Sequence, residues 1–286
     1  ETDNDPNWDD MNEMEKAMIH SRLRRLISWT PRALVALLVT PGVALAEWGL
    51  NFPRPVSPIA QEQYDLHMLI TWIVTVIFII VFGIMFYSII NHRKSKGVKA
   101  AQFSHSTKAE VIWTVIPALI LLGMAIPSTK ALIMMEDTTE SNMTIKVSGF
   151  QWGWHYEYLD HGIEFYSKLS TPRAQIKGEA PKGEHYLLEV DKHMALPVGQ
   201  KVRFLLTSHD VIHAWWVPQL GGKKDGFPGF INEFWIQPTE VGTYRGQCSE
   251  LCGKDHGFMP IVVDTMEQVD FDAWVAKQKS ASPSQG

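Results

Sequence analysis

Four side chains able to ligate a soft metal fall within one short segment: Cys248, Cys252, His256 and Met259, in Cys248-Ser-Glu-Leu-Cys-Gly-Lys-Asp-His-Gly-Phe-Met259. The segment follows the strand-like run Gly242–Gln247, and Gly253 and Gly257 punctuate it, which places it on a loop. Such a loop can fold all four side chains around one point. Thiolate, imidazole and thioether together are the soft donor set that selects copper. Structural zinc sites use Cys/His sets and have little use for a thioether. A Cys248–Cys252 disulfide and a Met259 that only packs are the bland alternatives. The direct succession Cys-x3-Cys-x3-His-x2-Met favours ligation over both. A single blue-copper ion takes one cysteine, so a close pair suggests two ions bridged by both thiolates. Sharing one electron between bridged metals lessens the geometric change at each.

Two ions need further ligands. His213 lies in Asp210-Val-Ile-His213-Ala-Trp-Trp-Val-Pro218, among apolar residues where an unpartnered imidazole is costly. A metal ligand and a hydrogen-bonded core histidine both satisfy that constraint. His209, near a turn, is expected at the surface.

The chain that must position these residues has 286 residues, a formal net charge of −5 and only two cysteines. A mildly acidic chain without a basic stripe is not expected to bind nucleic acid. Two cysteines four positions apart are poor material for a disulfide framework. Residues 18–46 have a basic start, a short apolar core and an Ala44-Leu-Ala46 end, the pattern of a signal peptide. Residues 1–17 form an acidic extension ahead of Met18, and residues 47–64 an exported N-terminal segment. Leu66–Ile90 and Val111–Ile133 are apolar runs long enough for a bilayer, giving a helical hairpin over 65–135. Pro117 and Pro127 interrupt the second run but are tolerated in membrane helices. Loop 91–108 carries Arg93, Lys94, Lys96, Lys99 and Lys108 with no acid, so it is expected in the cytoplasm. Both ends of the mature chain then lie outside a plasma membrane.

Beyond Met135 the pattern turns to short runs rich in β-branched and aromatic residues: Met143–Tyr158, Tyr186–Val190, Lys201–Thr207, Val211–Val217, Glu233–Gln237, Gly242–Gln247 and Pro260–Asp264. Turn residues separate them, so residues 140–278 are expected to form an all-β sandwich or small barrel. Ser167–Gly183 reads as a long polar loop. Gln268–Lys277 reads as a helix with Phe271, Trp274 and Val275 inward, and the tail 279–286 as disordered.

The motif Cys-x-Glu-x-Cys-x3-His-x2-Met, with Asp210-Val-Ile-His213 and Gln151-Trp-Gly-Trp154 in the same order, resembles subunit II of the bacterial haem–copper cytochrome c oxidases over roughly Trp48–Lys277. The resemblance implies a two-helix transmembrane hairpin plus an all-β cupredoxin-like Greek-key barrel. It also implies a dinuclear CuA centre bridged by Cys248 and Cys252, with His213 and Met259 completing one copper, and His256 and the Glu250 carbonyl the other. The Glu250 carboxylate would point toward a magnesium or manganese ion shared with subunit I.

Trp152 corresponds to the surface tryptophan that takes electrons from cytochrome c. Glu157, Asp191 and Asp210 match acids implicated in docking that donor, and Glu110 matches a glutamate that in the family lies near a proton-pathway entrance into subunit I. Subunits I and III, cytochrome c and the bilayer are the implied partners, and the chain would not be an oxidase alone. One departure is Gln219–Phe230, where Phe230 stands in place of a common arginine. A copper-free quinol oxidase subunit should lack both cysteines. Nitrous oxide reductase should add a propeller, and a free blue-copper carrier should lack the two spans.

Overall fold

The computed structural model describes residues 49, 51–97, 99, 101–102 and 104–281. The acidic extension, the signal peptide and the end of the tail lie outside these. Helix α1, Pro58–Asn91, starts where the Ser57 hydroxyl accepts from the Ala60 N–H and Pro58 supplies a preset φ. Helix α2, Thr107–Glu136, is capped by Ser106 and runs unbroken through Pro117 and Pro127. The apolar run of each has large side chains exposed on every side, from Trp72 to Ile90 and from Val111 to Ile133, with Ala131 the buried exception. A helix apolar on every side needs hydrocarbon around it, so the chain is a membrane protein with two spans. Both helices exceed their apolar runs, because their ends continue into the β domain's surface.

That domain contains ten strands: β1 Met143–Phe150, β2 Gly153–Tyr158, β3 Ile163–Ser167, β4 Met194–Pro197, β5 Val202–Ser208, β6 His213–Val217, β7 Gly221–Gly226, β8 Asn232–Ile236, β9 Gly242–Gln247 and β10 Pro260–Met266. A five-stranded sheet runs β3-β2-β1-β5-β8, a three-stranded sheet β4-β10-β9, and β6 pairs with β7 as a hairpin. The β1–β5 and β4–β10 pairs are parallel and the remainder antiparallel. Alternation sends Ile145, Val147, Phe204 and Leu206 inward from one sheet and Ile261 and Val263 from the other, with Trp215 and Val217 of the hairpin between them. Helix α4, Gln268–Ala281, follows the four-residue helix α3 at Arg173–Ile176 and buries Phe271 and Val275, with Trp274 partly covered, as expected.

The assembly is an open sandwich, not the closed barrel anticipated. Closure needs continuous ladder bonds from the hairpin to β9, yet among the described residues the backbone bond recorded there runs from Ser249 N–H to Ala214 O. Two strand expectations also change. Met143–Tyr158 is two strands, divided by the turn at Gln151–Trp152. Tyr186–Val190 is irregular and makes only an isolated bridge, Leu169 to Val190. Strands β3, β4 and β7 were not anticipated. β7, Gly-Gly-Lys-Lys-Asp-Gly, has no strand-forming residue type and owes its conformation to pairing with β6. Its Gly221, at φ +71°, also lies against α1: a Cβ there would sit 2.9 Å from Ile59.

The helices are tied to this domain at both of their outer ends. The Ser57 hydroxyl donates to the Leu220 carbonyl (2.6 Å), and the Val56 N–H to the Gln219 carbonyl (2.9 Å). At the end of α2, Trp235 Nε1 donates to the Met134 carbonyl (2.9 Å) and Lys224 pairs with Glu136 (2.6 Å).

Candidate metal centre

β9 delivers Cys248 and β10 departs from Met259, so the antiparallel pair holds both ends of the donor loop. Between them Cys252 is buried, and His256 opens a single 3-10 turn, His256–Phe258. The Ser249 N–H donates to the Ala214 carbonyl (3.0 Å), pinning the loop beside β6, whose first residue is His213. Long-range folding thus joins a histidine 35 positions upstream to the local motif.

Cys248 Sγ lies 3.9 Å from Cys252 Sγ, 3.9 Å from His213 Nδ1 and 3.3 Å from the Glu250 carbonyl oxygen. Cys252 Sγ lies 3.4 Å from both His256 Nδ1 and Met259 Sδ. His213, Cys248 and Cys252 alone bring three ligand atoms within 4.8 Å of one another. Both cysteines are free, and sulfurs 3.9 Å apart can each reach one ion at the roughly 2.3 Å of a metal–thiolate bond. The donor set therefore fits copper. Cys248, Cys252, His213 and Met259 are all buried, while Glu250 is exposed.

Burial, and next the neighbouring Cys248, push the Cys252 thiol up to about 12. Among the described residues no cationic side chain lowers the Cys252 thiol, so a bound cation is what would make deprotonation favourable.

His213 is oriented by a carboxylate. Asp210 Oδ1 accepts from His213 Nε2 at 2.9 Å, which leaves Nδ1 bare and turned to Cys248. A ligand histidine held through its second nitrogen is the usual support of a metal site. Burial works against an ionised Asp210, but hydrogen bonds from His213, the Val211 N–H and the Gln151 N–H hold its carboxyl below the ordinary value. The His213 ring has room only because residue 149 is glycine: a Cβ there would lie 2.8 Å from His213 Cδ2.

Trp152 sits in the β1–β2 turn, half-buried, with Nε1 donating to the Cys252 carbonyl at 3.3 Å. Gln151 Nε2 donates to the same carbonyl at 2.8 Å. Lys254 Nζ lies 4.9 Å from the centre of the indole ring. The alternation Trp152, Trp154, Tyr156, Tyr158 that reads as one strand face holds only for the last three, all fully buried. Gln151 and Gly149 support the site without any spacing rule to announce them. Their contacts arise across strands.

The remaining candidates stand apart from this cluster. Glu157 is engaged by Lys146 across the ladder (2.8 Å). Asp191 is exposed and accepts from the Lys168 N–H (2.7 Å). Glu110 occupies the first turn of α2 at the loop side of the hairpin, a helix length from the metal loop.

Residues 143–266 match the family model for the cytochrome c oxidase subunit II periplasmic domain, and residues 45–131 that for its transmembrane domain. A probable cytochrome c oxidase subunit 2 of Rickettsia conorii is 44% identical over 237 residues, 82% of this chain and 73% of that protein. Its counterpart in Rickettsia bellii is 42% identical, over 82% of this chain and 86% of that protein. The crystal structure of the periplasmic domain of subunit II of cytochrome oxidase from Bradyrhizobium japonicum is 39% identical, covers 50% of this chain and 98% of that one, and superposes with a TM-score of 0.45. Two family models on consecutive parts of the chain, with relatives aligned over most of their length, place it in the cytochrome c oxidase subunit II family, as a subunit of an oxidoreductase.

Proposed function

We propose that this chain is the electron-accepting subunit of a haem–copper oxidase, holding two copper ions and receiving electrons from cytochrome c. The observation that carries it is the convergence of two thiols, two imidazole nitrogens, a thioether and a backbone carbonyl, each within 3.3–3.9 Å of a cysteine sulfur. Bound copper would supply a one-electron acceptor that a bridging thiolate pair keeps nearly unchanged in shape.

The chain's own residues set the rest. Cys248 and Cys252 would hold both ions through their thiolates, with His213 and Met259 as further ligands for one and His256 and the Glu250 carbonyl for the other. Asp210 holds His213 in the tautomer that exposes Nδ1. Trp152 offers an indole at the surface whose N–H touches the backbone of a metal ligand, giving electrons a short route inward. Glu157, Asp191 and Asp210 contribute negative charge for a basic donor, mainly raising its on-rate. Glu157 and Asp210 carry less of this than the exposed Asp191, because Glu157 is paired with Lys146 and the Asp210 oxygens already meet internal donors.

The exposed Glu250 carboxylate is left for a magnesium or manganese ion shared with subunit I, and Glu110 for proton uptake on the opposite side. The metal loop then faces outward from a bacterial plasma membrane, with loop 91–108 in the cytoplasm. Haem in subunit I would receive the electrons and supply the site of oxygen reduction to water with proton translocation, and subunit III would complete the complex.

Metal analysis with electron paramagnetic resonance on the full chain tests the reading. Two coppers per chain and a seven-line mixed-valence spectrum are expected. A single zinc, or a four-line spectrum from one copper, would overturn it.

A further inference from the structure

β9 and β10 carry the metal loop at one end, and the other end of the same pair carries a second cluster. Asp264 of β10 stands opposite Thr243 of β9 and accepts its hydroxyl at 2.7 Å. His193, immediately before β4, places Nδ1 2.8 Å from Asp264 Oδ2 and Nε2 2.7 Å from Glu189 Oε1. Glu189 Oε2 in turn accepts from Arg245 of β9 at 2.8 Å. An ionised carboxylate only accepts, and a neutral imidazole has a single N–H. Burial works against ionised Glu189 and Asp264, but their hydrogen bonds hold both below the ordinary carboxyl value. With both ionised, the two short contacts fit a ring protonated on both nitrogens, an imidazolium.

This cluster closes the excursion formed by residues 168–192. Within it Val190 alone is buried, at the base where it bridges to Leu169, so apolar packing does little to hold residues 170–189. Its base is fastened by Asp191 N–H to the Lys168 carbonyl (2.9 Å), Ser170 N–H to the Glu189 carbonyl (3.0 Å) and the Ser167 hydroxyl to the Lys192 carbonyl (2.7 Å). Only the Glu189–His193–Asp264 and Glu189–Arg245 contacts named above tie it by charge to β9 and β10.

We propose that His193, as an imidazolium held between Glu189 and Asp264, is a pH-sensitive latch fastening the excursion 168–192 to the base of the metal-loop hairpin. The charged groups around it are Glu189 from the excursion, Asp264 from β10, Arg245 from β9, and its neighbours Asp191 and Lys192. β3 and α4 add Phe165, Trp274 and Gln278, none of them titratable, and the buried Tyr158 senses Asp264. With His193 protonated, two cations (His193 and Arg245) meet two carboxylates. Its deprotonation leaves one negative charge uncompensated and one contact without a proton.

The hydrogen bond to Asp264, opposed by burial and helped by Glu189, raises the imidazole above its ordinary 6.5. A histidine raised in the folded state stabilises fully below its unfolded value and loses that contribution as the pH rises through the folded one. The latch is therefore closed at acidic pH and opens toward alkaline pH. It rests on the fold and stands or falls independently of the copper assignment.

Hydrogen-exchange mass spectrometry on the full chain in detergent tests it, comparing wild type with His193→Gln at matched pH from about 6 to about 9. Each unit of pKa shift couples protonation to closure about tenfold. At the acid end, amides of 168–192 should exchange several-fold more slowly in wild type, and the two proteins should converge at the alkaline end. Equal protection throughout, or a gap that persists at alkaline pH, would overturn the latch. So would a parallel loss of protection in β1, which reports general unfolding. If His193→Gln does not fold, wild type alone decides: protection of 168–192, corrected for intrinsic exchange, must fall with pH while β1 stays protected.

Discussion

At one end of the β9–β10 pair stand Cys248, Cys252 and Met259, soft and buried; at the other stand Thr243, Arg245 and Asp264, hard and at least partly exposed. Among the described residues the first end has no cation that lowers the Cys252 thiol, which burial drives up. The second end is neutralised within the chain, with Arg245 and a protonated His193 set against Glu189 and Asp264. The same two strands thus present one donor set that fits a soft metal ion and one charge cluster that supplies its own partners. A charge-assisted network at the base can hold the strands in place without competing for metal, because its carboxylates and guanidinium are poor ligands for a soft ion and its imidazole, when protonated on both nitrogens, has no lone pair to offer.

Breaking the metal end should have the largest effect. Cys252→Ser removes one of the two thiol donors, and copper affinity should fall by more than the roughly 10–100-fold typical of losing an outer partner. Equilibrium copper titration checks this, and retention of two coppers would remove Cys252 from the site. Asp210→Asn keeps the shape but weakens the hold on His213. Affinity should drop about tenfold or more, within that outer-partner range, with a shifted copper spectrum. Trp152→Ala should slow reduction by cytochrome c and leave the copper spectrum intact, so stopped-flow and spectroscopy together separate electron input from architecture. Loss of the copper signal in this variant would make Trp152 structural. At the base, Arg245→Lys loses a directed guanidinium contact that is partly solvent-screened. Thermal unfolding should report a loss of about 1 kcal/mol or less, with copper binding unchanged.

Much of this was legible in the chain itself. Leu66–Ile90 and Val111–Ile133 declare themselves because a bilayer imposes a length and a composition that few other environments demand. Cys248, Cys252, His256 and Met259 are equally plain, since local spacing alone lets one loop gather them. β5, β6, β8, β9 and β10 followed from their β-branched and aromatic runs to within a few residues. β7 did not, because its glycines and lysines take strand geometry from β6 rather than from any preference of their own. β4, a run of only Met-Ala-Leu-Pro, is too short to show alternation and is defined by its parallel partner β10. The barrel expectation failed for a related reason: closure depends on ladder bonds between strands distant in sequence.

What the sequence determined by itself was the set of soft donors, the two spans and the all-β character of the outer domain, because each rests on residue type and short-range spacing. Tertiary structure decided which distant groups meet them. It brought His213 Nδ1 to Cys248, set Asp210 behind the imidazole, opened space at Gly149 and laid Trp152 against the Cys252 carbonyl. It also set His193 between two carboxylates, one of them 71 positions away. Contacts of that separation depend on strand register and sheet packing, and those are properties of the folded chain as a whole.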